Sequence, residues 1–463
     1  MRRSAANTAQ EPGVAALALG RELDNDQPAS PSRRRTLLTG IGTASLPTLA
    51  AGRIDPARRF LWGVATAAHQ IEGGNVNSDY WVMEHVPGTY FKEPSGDACD
   101  SFNRWREDVA LVKSAGLNCY RFSVEWARIE PEPGEFSDAA LAYYRRICVA
   151  CLEAGITPVV TLHHFTSPRW VAAMGGWEDF AVVDRFVRYV EKTALALAGV
   201  VGWFCTMNEA NAQVTSRVLQ RKPWAAEPGL RAAAARAVGS DRFHMYFLGD
   251  SYKVRDVCLA AHAKGRAAIK AAVPGARVGF TLALQELSAG PGGESLCTRI
   301  FAEARAPFYT AAATDDFIGV QTYNEFEMGV DDYLPAPADT MKDMSGYPTQ
   351  PGALAASVRE AYTHTKVPVF VTEHGNNTHD DTQRIQHLRL AIEGLAAEIA
   401  AGVPVLGYMH WSLLDNFEWS SGYIPRFGLV AVDRKTFTRT PKPSLNAHGQ
   451  LVRGLRRSHR WAR

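Results

Sequence analysis

From Phe60 onward, short runs of apolar and β-branched residues alternate with longer stretches in which apolar residues recur every three or four positions. The short runs predict strands, and the longer stretches predict amphipathic helices. We count eight candidate strands, at residues 60–66, 119–126, 157–163, 202–207, 277–283, 316–323, 368–372 and 404–411. This alternation is typical of βαβ units, in which the strands lie parallel in one sheet.

Between the strands lie candidate helices, among them residues 102–115, 139–154, 182–198, 251–272 and 382–401. The near-continuously apolar run VPVFVT at 367–372 needs cover on both faces, which a ring of helices around a barrel provides. Eight repeats of this kind predict an α/β fold, a single (β/α)8 TIM barrel. Two long irregular segments, 216–250 and 324–350, are predicted to be barrel-top loops, and the first could hold a helix of its own.

No run after Pro56 is typical of an interdomain linker, so residues 56–463 are predicted to form one domain. Residues 1–55 are rich in Ala, Ser and Pro, and SRRRTLL at 32–38 resembles a twin-arginine export signal. The apolar stretch that follows, about 14 residues long, is too short for a membrane-spanning helix. We therefore expect a periplasmic or secreted protein without a membrane span. The alternative is a disordered basic tail on a cytoplasmic protein.

Charge and cysteine content argue against several classes of protein. The 50 Lys and Arg residues nearly balance 48 Asp and Glu residues, and the net charge of +2 gives no reason to expect a nucleic-acid partner. Seven cysteines are an odd number, which argues against a disulfide framework. Cys148 and Cys151 form a CxxC pair within a predicted helix, and no second pair lies at zinc-finger spacing. We expect mostly buried thiols.

Polar residues recur where the predicted strands end, and in a barrel the loops at these ends build the active site. Carboxylates, amides, histidines and aromatic rings together suit an uncharged, polyhydroxylated ligand. The strand-end residues are His69, Gln70, Glu72, Arg121, Glu125, His163, His164, Asn208, Glu209, Gln321, Tyr323, Glu373, His374, His410 and Trp411.

Two of these carboxylates, Glu209 after strand four and Glu373 after strand seven, would face each other across the barrel mouth. Glycoside hydrolysis needs such a pair, with one carboxyl group protonated and the other ionised. A nearby cation such as Arg121 would keep one of them ionised. From their spacing alone, structural ion pairing remains the alternative.

Six motifs, in order along the chain, resemble glycoside hydrolase family 1, the β-glucosidase family, over residues 60–444. They are FLWGVATAAHQIEG at 60–73, YRFSVEWARIEP at 120–131, TLHHF at 161–165, TMNEA at 206–210, VTEHG at 371–375 and HWSLLDNFEWSSGYIPRFGLV at 410–430. The resemblance implies an O-glycosyl hydrolase that removes the terminal non-reducing β-D-glucosyl or related residue from a β-glycoside or oligosaccharide. It also implies retention of configuration by double displacement, through a covalent glycosyl-enzyme intermediate.

The resemblance assigns roles motif by motif. Glu209 matches the family's acid/base, Glu373 its nucleophile, and Arg121 and Tyr323 the residues that hydrogen-bond the nucleophile. The implied sugar contacts are Asn208 at the 2-hydroxyl, Gln70, His164 and Trp419 at the 3- and 4-hydroxyls, Glu418 at the 4- and 6-hydroxyls, and Trp411 beneath the ring. The Glu418 carboxylate would repel a 6-phosphate group, so phosphorylated sugars are not expected.

The sequence departs from the family pattern around these residues, but no departure removes a proton-transferring or nucleophilic group. The departures are Phe165 and Thr166 for Trp-Asp, Met207 for an aromatic residue, Ala210 for Pro, Gln321 and Thr322 for Asn-Tyr, and His374 for Asn. His69, His163 and His374 are expected to pack rather than bind ligand.

No cofactor or metal is expected, since no acidic or histidine cluster has coordination spacing. The sequence does not specify an oligomeric state. Two alternatives stay open: a transglycosidase using the same site, and a sugar-binding barrel without turnover.

Overall fold

The structure, a computed structural model, describes residues 60–219, 228–247, 249–338 and 340–457. The predicted export segment, residues 1–55, lies outside the described residues. None of the helices in the described part of the chain has the length and apolar character needed to cross a membrane.

Thirteen strands form within the described residues. They are β1 (Leu61–Ala65), β2 (Cys119–Ser123), β3 (Thr157–Thr161), β4 (Trp203–Cys205), β5 (Arg277–Gly279), β6 (Thr281–Ala283), β7 (Glu286–Ala289), β8 (Ile318–Thr322), β9 (Glu325–Met328), β10 (Val369–His374), β11 (Val405–Trp411), β12 (Val430–Val432) and β13 (Arg439–Pro441).

Nine of these strands form one parallel sheet in the order β5-β4-β3-β2-β1-β11-β10-β8-β6. The segments β5 and β6 are the two halves of one barrel strand, interrupted at Phe280, because β5 pairs with β4 and β6 pairs with β8. The sheet therefore closes on itself with eight strand positions. The predicted (β/α)8 barrel and its eight strands are confirmed.

Several predicted strand ends differ from the structure by one to three residues, and two of the differences bear on the site. The prediction for the second strand, 119–126, was too long, since β2 ends at Ser123 and a helix begins at Trp126. The side chain of Glu125 accepts a hydrogen bond from the Ala127 N–H at 3.4 Å and so caps that helix. The prediction for the seventh strand, 368–372, was too short. There, Glu373 and His374 continue the ladder by pairing with Gln321 and Thr322 of β8.

The helices surround the barrel. Within the described residues they are α1 (Ala68–Ile71), α2 (Asp79–His85), α3 (Ser101–Ser114), α4 (Trp126–Ile129), α5 (Asp138–Glu153), α6 (Arg169–Ala173), α7 (Ala181–Leu197), α8 (Ala212–Val218), α9 (Pro228–Ala237), α10 (Ser251–Ala272), α11 (Glu294–Ala304), α12 (Ala306–Ala312), α13 (Ala353–Thr365), α14 (Asp381–Ala400) and α15 (Pro443–Arg457). The five predicted helices match α3, α5, α7, α10 and α14 to within one residue at each end.

The bottom of the barrel is filled by aromatic side chains. The rings of Trp203, Phe317 and Phe370 lie 5.5 to 5.7 Å apart, and all three are buried. Filling the interior in this way leaves room for a ligand only at the carboxyl end of the strands. The long loops lie in the predicted segments: α9 forms in the first, and β9 of the second pairs in parallel with β7.

The cysteines are reduced in the structure, and all but the half-buried Cys297 are buried. Cys148 and Cys151 both lie on α5 and face the core. The expectation of buried thiols is confirmed.

Candidate active site

A cavity of about 420 Å³ opens at the carboxyl end of the barrel strands. Nine of the ten residues that the sequence predicts for the site line it: Gln70, His164, Asn208, Glu209, Tyr323, Glu373, Trp411, Glu418 and Trp419. The tenth, Arg121, is buried on β2 and hydrogen-bonds both Asn208 and Glu373. The barrel therefore brings the predicted set together at one place.

Glu373 is held through both carboxylate oxygens. Its Oε1 accepts hydrogen bonds from Arg121 Nη1 at 2.5 Å and Gln321 Nε2 at 3.0 Å. Its Oε2 accepts one from the Tyr323 hydroxyl at 2.7 Å. Burial raises the pKa of Glu373, while the Arg121 guanidinium and these three hydrogen bonds act in the opposite direction. Three donors in a fixed arrangement stabilise the ionised form of this carboxyl group.

Glu209 has different surroundings. In the described part of the chain, no side chain donates a hydrogen bond to its carboxyl group, and its backbone N–H donates to Thr281 Oγ1 at 2.9 Å. Burial, followed by the charge on Glu373, raises the pKa of Glu209 to about 8, and Arg121 opposes the rise. At neutral pH this carboxyl group is therefore mostly protonated.

The backbone at Glu209 is in the left-handed region, with φ of 44°. The N–H groups on either side, of Asn208 and Ala210, donate to the carbonyls of His163 and Thr281 and fix this turn. Phe165 and Trp419, which also line the cavity, have φ values of 71° and 51°. Non-glycine residues in this region are strained, and such strain is typical of functional sites.

Asn208 is linked to Glu373 through shared donors. Its Oδ1 accepts hydrogen bonds from Arg121 Nη2 at 2.6 Å and Gln321 Nε2 at 2.8 Å. Its Nδ2 is buried and has no hydrogen-bond partner among the described residues. Buried polar groups are normally hydrogen-bonded, so this N–H group is available to donate a hydrogen bond to a ligand.

A second polar cluster lies near Glu418. The Glu418 carboxyl group accepts hydrogen bonds from Gln70 Nε2 at 3.2 Å and Trp411 Nε1 at 3.3 Å. Burial, with the nearby charge of Glu373, raises its pKa to about 8 against these two hydrogen bonds. Gln70 Oε1 and His164 Nδ1 are buried without a partner in the described part of the chain. This end of the cavity thus offers both donors and acceptors to a hydroxylated ligand.

Comparison with known proteins decides the family. The sequence model of glycosyl hydrolase family 1 matches residues 56–329 and 308–454. The chain belongs to glycosyl hydrolase family 1. The predicted resemblance is confirmed, and this family 1 member is an O-glycosyl hydrolase of the β-glucosidase type.

Two curated relatives are similar over nearly their whole length. The 1,4-β-D-glucan glucohydrolase of Thermotoga neapolitana is 30% identical over 442 residues, which cover 83% of this chain and 95% of the relative. The β-glucosidase A of Thermotoga maritima is 30% identical over 452 residues, which cover 85% of this chain and 97% of the relative.

Solved structures share the barrel of this family 1 enzyme. The β-glycosidase BGL167 superposes with a TM-score of 0.83 at 46% identity and covers 85% of this chain and 96% of its own. The β-glucosidase from Thermotoga maritima in complex with glucoimidazole superposes with a TM-score of 0.74 at 26% identity, covering 86% of this chain and 99% of its own.

Three further histidines of the strand ends, which the sequence analysis expected to pack, do so in this family 1 enzyme. His69 hydrogen-bonds Glu84 Oε1 at 2.7 Å, His163 hydrogen-bonds Ser167 Oγ at 3.1 Å, and His374 hydrogen-bonds the Tyr408 hydroxyl at 2.9 Å. None of the three lines the cavity. Among the described residues, no group of three or more His, Cys, Asp and Glu side chains is placed to hold a metal ion.

Gln321 was predicted to lie at a strand end of the site, but the sequence analysis gave it no role. Its Nε2 donates to both Asn208 and Glu373, so it joins the two strand ends that carry them. The available signal was its position at the end of a predicted strand, where the family pattern has Asn. The pattern could not show that the longer amide side chain reaches both partners.

Proposed function

We propose that this family 1 enzyme is a retaining β-glucosidase that hydrolyses the terminal β-D-glucosyl residue of β-glycosides by double displacement. The observation that carries the proposal is the asymmetry of the two carboxyl groups. Glu373 accepts three hydrogen bonds, including one from Arg121, whereas Glu209 is held mostly protonated by burial and by the charge on Glu373. This is the division between nucleophile and general acid that the mechanism requires.

In the first step, Glu209 donates its proton to the glycosidic oxygen while the Glu373 carboxylate attacks the anomeric carbon. The bond between that carbon and the leaving oxygen breaks, and the aglycone departs as an alcohol. The product is a glucosyl ester of Glu373. Arg121, Gln321 and Tyr323 orient the attacking carboxylate, so little reorganisation is needed at the moment of reaction.

In the second step, the same Glu209 acts as a base. Once Glu373 is an ester it carries no charge, so one cause of the raised pKa of Glu209 disappears. Glu209 therefore ionises more readily and takes a proton from the water that attacks the anomeric carbon. The bond between the anomeric carbon and the Glu373 oxygen breaks, so glucose is released with its original configuration, Glu373 regains its negative charge and Glu209 regains its proton.

The sugar-binding roles are those that the family resemblance implies, and buried polar atoms without a partner in the described part of the chain support three of them. Asn208 Nδ2 would donate to the 2-hydroxyl group, and Gln70 and His164 would bind the 3- and 4-hydroxyl groups with Trp419. Glu418 would bind the 4- and 6-hydroxyl groups, and the Trp411 ring would lie beneath the sugar. The names of the relatives, which are glucosidases and a glucan glucohydrolase, support glucose as the sugar.

The anomer released first tests this proposal. Hydrolysis of phenyl β-glucoside, followed by proton NMR before mutarotation, is expected to yield β-glucose first. Initial α-glucose would contradict the double displacement. Transfer of the glucosyl group to an acceptor alcohol has the same first step as hydrolysis. Product analysis with added methanol measures the fraction of glucosyl groups that is transferred rather than hydrolysed.

We also propose that residues 56–463 are the catalytic domain and that residues 1–55 direct twin-arginine export. The supporting observation is the sequence SRRRTLL at 32–38. Replacing Arg34 and Arg35 by Lys should leave the enzyme in the cytoplasm. Unchanged export of this variant would contradict the proposal.

A further inference from the structure

Four buried histidines, each from a different element, lie close to one another beside β10 and β11. They are His374 on β10, His387 on α14, His410 on β11 and His448 on α15, and we call them the histidine cluster. Each is 2% exposed or less. The cluster thus joins two barrel strands, one of which carries Glu373, to two helices of the surrounding ring.

The rings of the cluster form a continuous row through the Tyr408 side chain. The His374 ring stacks on the His387 ring with the centroids 4.9 Å apart. His374 Nδ1 lies 2.9 Å from the Tyr408 hydroxyl, which lies 3.4 Å from His410 Nδ1. The His448 ring lies 5.8 Å from the Tyr408 ring and 6.2 Å from the His410 ring. Among the described residues, no three of these imidazoles are placed to hold a metal ion, so the rings contact one another rather than a common ligand.

Several nitrogens of the cluster lack the partners that a protonated ring needs. An imidazolium ion donates from both of its nitrogens. His387 Nε2, His410 Nε2 and both nitrogens of His448 are buried and have no hydrogen-bond partner in the described part of the chain. A proton added to one of these rings would therefore create a buried charge without a full set of acceptors, which costs free energy.

The surroundings of the cluster oppose protonation of its rings. Burial lowers the pKa of all four imidazoles, to about 4 for His387 and about 3 for His448. For His410 the charges of its neighbours lower the pKa further, and these neighbours are His448, His374, Arg384 and His387. In the folded protein the four rings are therefore neutral at neutral pH.

The carboxylates on the segments around the cluster are engaged elsewhere. Asp381, at the start of α14, forms an ion pair with Arg384 at 2.5 Å. Asp415, which follows β11, forms an ion pair with Lys442 at 2.8 Å. Glu373 on β10 lines the cavity. None of these three described carboxylates serves as a counter-ion for a protonated ring of the cluster.

The unfolded chain does not have this obstacle to protonation. There each imidazole binds a proton as the pH falls through about 6.5, whereas in the folded protein it stays neutral to a lower pH. The stability that depends on neutral rings is complete above this pH and is lost as the pH falls below it. Each histidine can raise the opening constant up to tenfold per pH unit, and four can raise it up to about 10⁴-fold. Buried carboxyl groups with a raised pKa, such as Glu72 at about 7, act in the opposite direction, so the cluster is measured as a difference between variants.

We propose that the histidine cluster is an acid-operated switch. On mild acidification its four imidazoles take up protons together, and the barrel opens where β10 and β11 meet α14 and α15. The opening displaces Glu373 and Trp411, which lie on these two strands, so the enzyme loses its active site. The opening requires no substrate and does not depend on which sugar the enzyme hydrolyses.

Unfolding in urea at several pH values tests the switch. Tryptophan fluorescence would give the opening constant of wild-type enzyme, His387→Gln, His448→Gln and the double variant over about pH 5 to 6.5. Because Gln carries no charge at any pH, the rise in this constant per pH unit should be about tenfold smaller in each single variant and about 10²-fold smaller in the double variant. His379→Gln is the matched control, because His379 is exposed, and it should leave the rise unchanged.

Two measurements on wild-type enzyme do not depend on whether a variant folds. Carbon-13 NMR of labelled histidine should show the four cluster rings as neutral imidazoles that change together in one transition. Amide hydrogen exchange should quicken in α14 and β10 at a higher pH than in α5 and α7, which lie outside the cluster.

The proposal would be overturned if the double variant had the same pH dependence of unfolding as wild type. Separate titration of the four rings in a folded enzyme would also overturn it. So would amide exchange that quickens in α5 and α7 at the same pH as in α14 and β10. Failure of the proposed β-glucosidase function would be seen separately, as an enzyme that is folded at neutral pH but hydrolyses no β-glucoside.

Discussion

The surroundings of Glu209 and Glu373 differ although both carboxyl groups line one cavity. Glu373 lies on β10 and accepts three hydrogen bonds, whereas Glu209 follows β4 in a strained turn and accepts none from a described side chain. Two identical side chains thus have neighbours that act on their protonation in opposite ways, because hydrogen-bond donors favour ionised Glu373 whereas burial and the charge of Glu373 favour protonated Glu209. The position of each residue on the barrel, rather than its chemical identity, determines which role it can take.

The largest effect that bears on this comparison should come from replacing Glu209, the proposed general acid. Glu209→Gln should lower kcat/KM for phenyl β-glucoside by about 10² to 10⁴-fold, because the amide cannot donate the proton that the leaving oxygen needs. A 2,4-dinitrophenyl leaving group needs no such proton, so its release step should be far less affected. Steady-state kinetics with both substrates measures the difference. Equal losses would indicate a structural role for Glu209.

The sequence predicted much of this arrangement and missed part of it. The motifs pointed to Glu209, Glu373, Arg121 and Tyr323, and the structure places these four side chains at one site. Gln321 was placed at a strand end but given no role, because its reach to Asn208 and Glu373 depends on the register between β8 and β10. The protonation states could not be read from residue types, since burial and neighbouring charge decide them.

The barrel itself was predicted from the alternation of apolar runs, because strands covered on both faces leave a clear pattern. The ends of the strands were predicted less accurately than the strands themselves. Glu125 ends β2 early by capping α4, and this depends on where a side chain points rather than on apolar periodicity.

The next largest effect should come from Tyr323→Phe. The variant removes the only hydrogen bond to Glu373 Oε2 from a described residue while keeping the ring that packs against Phe427 at 5.6 Å. A hydrogen bond to a charged group is worth about 1.5–3 kcal/mol, so kcat/KM should fall about 10 to 100-fold. Kinetics on phenyl β-glucoside would measure this, with Tyr347→Phe as a control outside the cavity. An unchanged rate would show that Tyr323 does not support the nucleophile.

Gln321→Leu should have a smaller effect. The variant keeps a similar volume but removes the donor shared by Asn208 and Glu373, and Arg121 still contacts both. We expect about a tenfold fall in kcat/KM from the loss of one shared donor. A glucoside lacking the 2-hydroxyl group should lose less than the parent substrate, because part of the effect acts through Asn208. Equal losses for both substrates would contradict that link.

The smallest change should be in the pH profile. Glu209 must be protonated in the first step, so kcat/KM should fall as pH rises through about 8 and its carboxyl group ionises. The charge of Glu373 is one cause of the raised pKa of Glu209. Glu373→Gln eliminates this charge and should therefore lower the pKa of Glu209. Carbon-13 NMR of labelled Glu side chains would follow this titration in both proteins. An unchanged pKa would show that the two carboxyl groups are not coupled.

Chemical rescue of the two carboxyl positions tests the division of roles most directly. Glu373→Ala and Glu209→Ala would each be assayed on 2,4-dinitrophenyl β-glucoside with and without azide, with Glu132→Ala as a surface control. The account predicts that azide restores turnover to both, giving α-glucosyl azide with Glu373→Ala and β-glucosyl azide with Glu209→Ala. Near wild-type activity of Glu373→Ala without azide, or the opposite pairing of anomers, would contradict it.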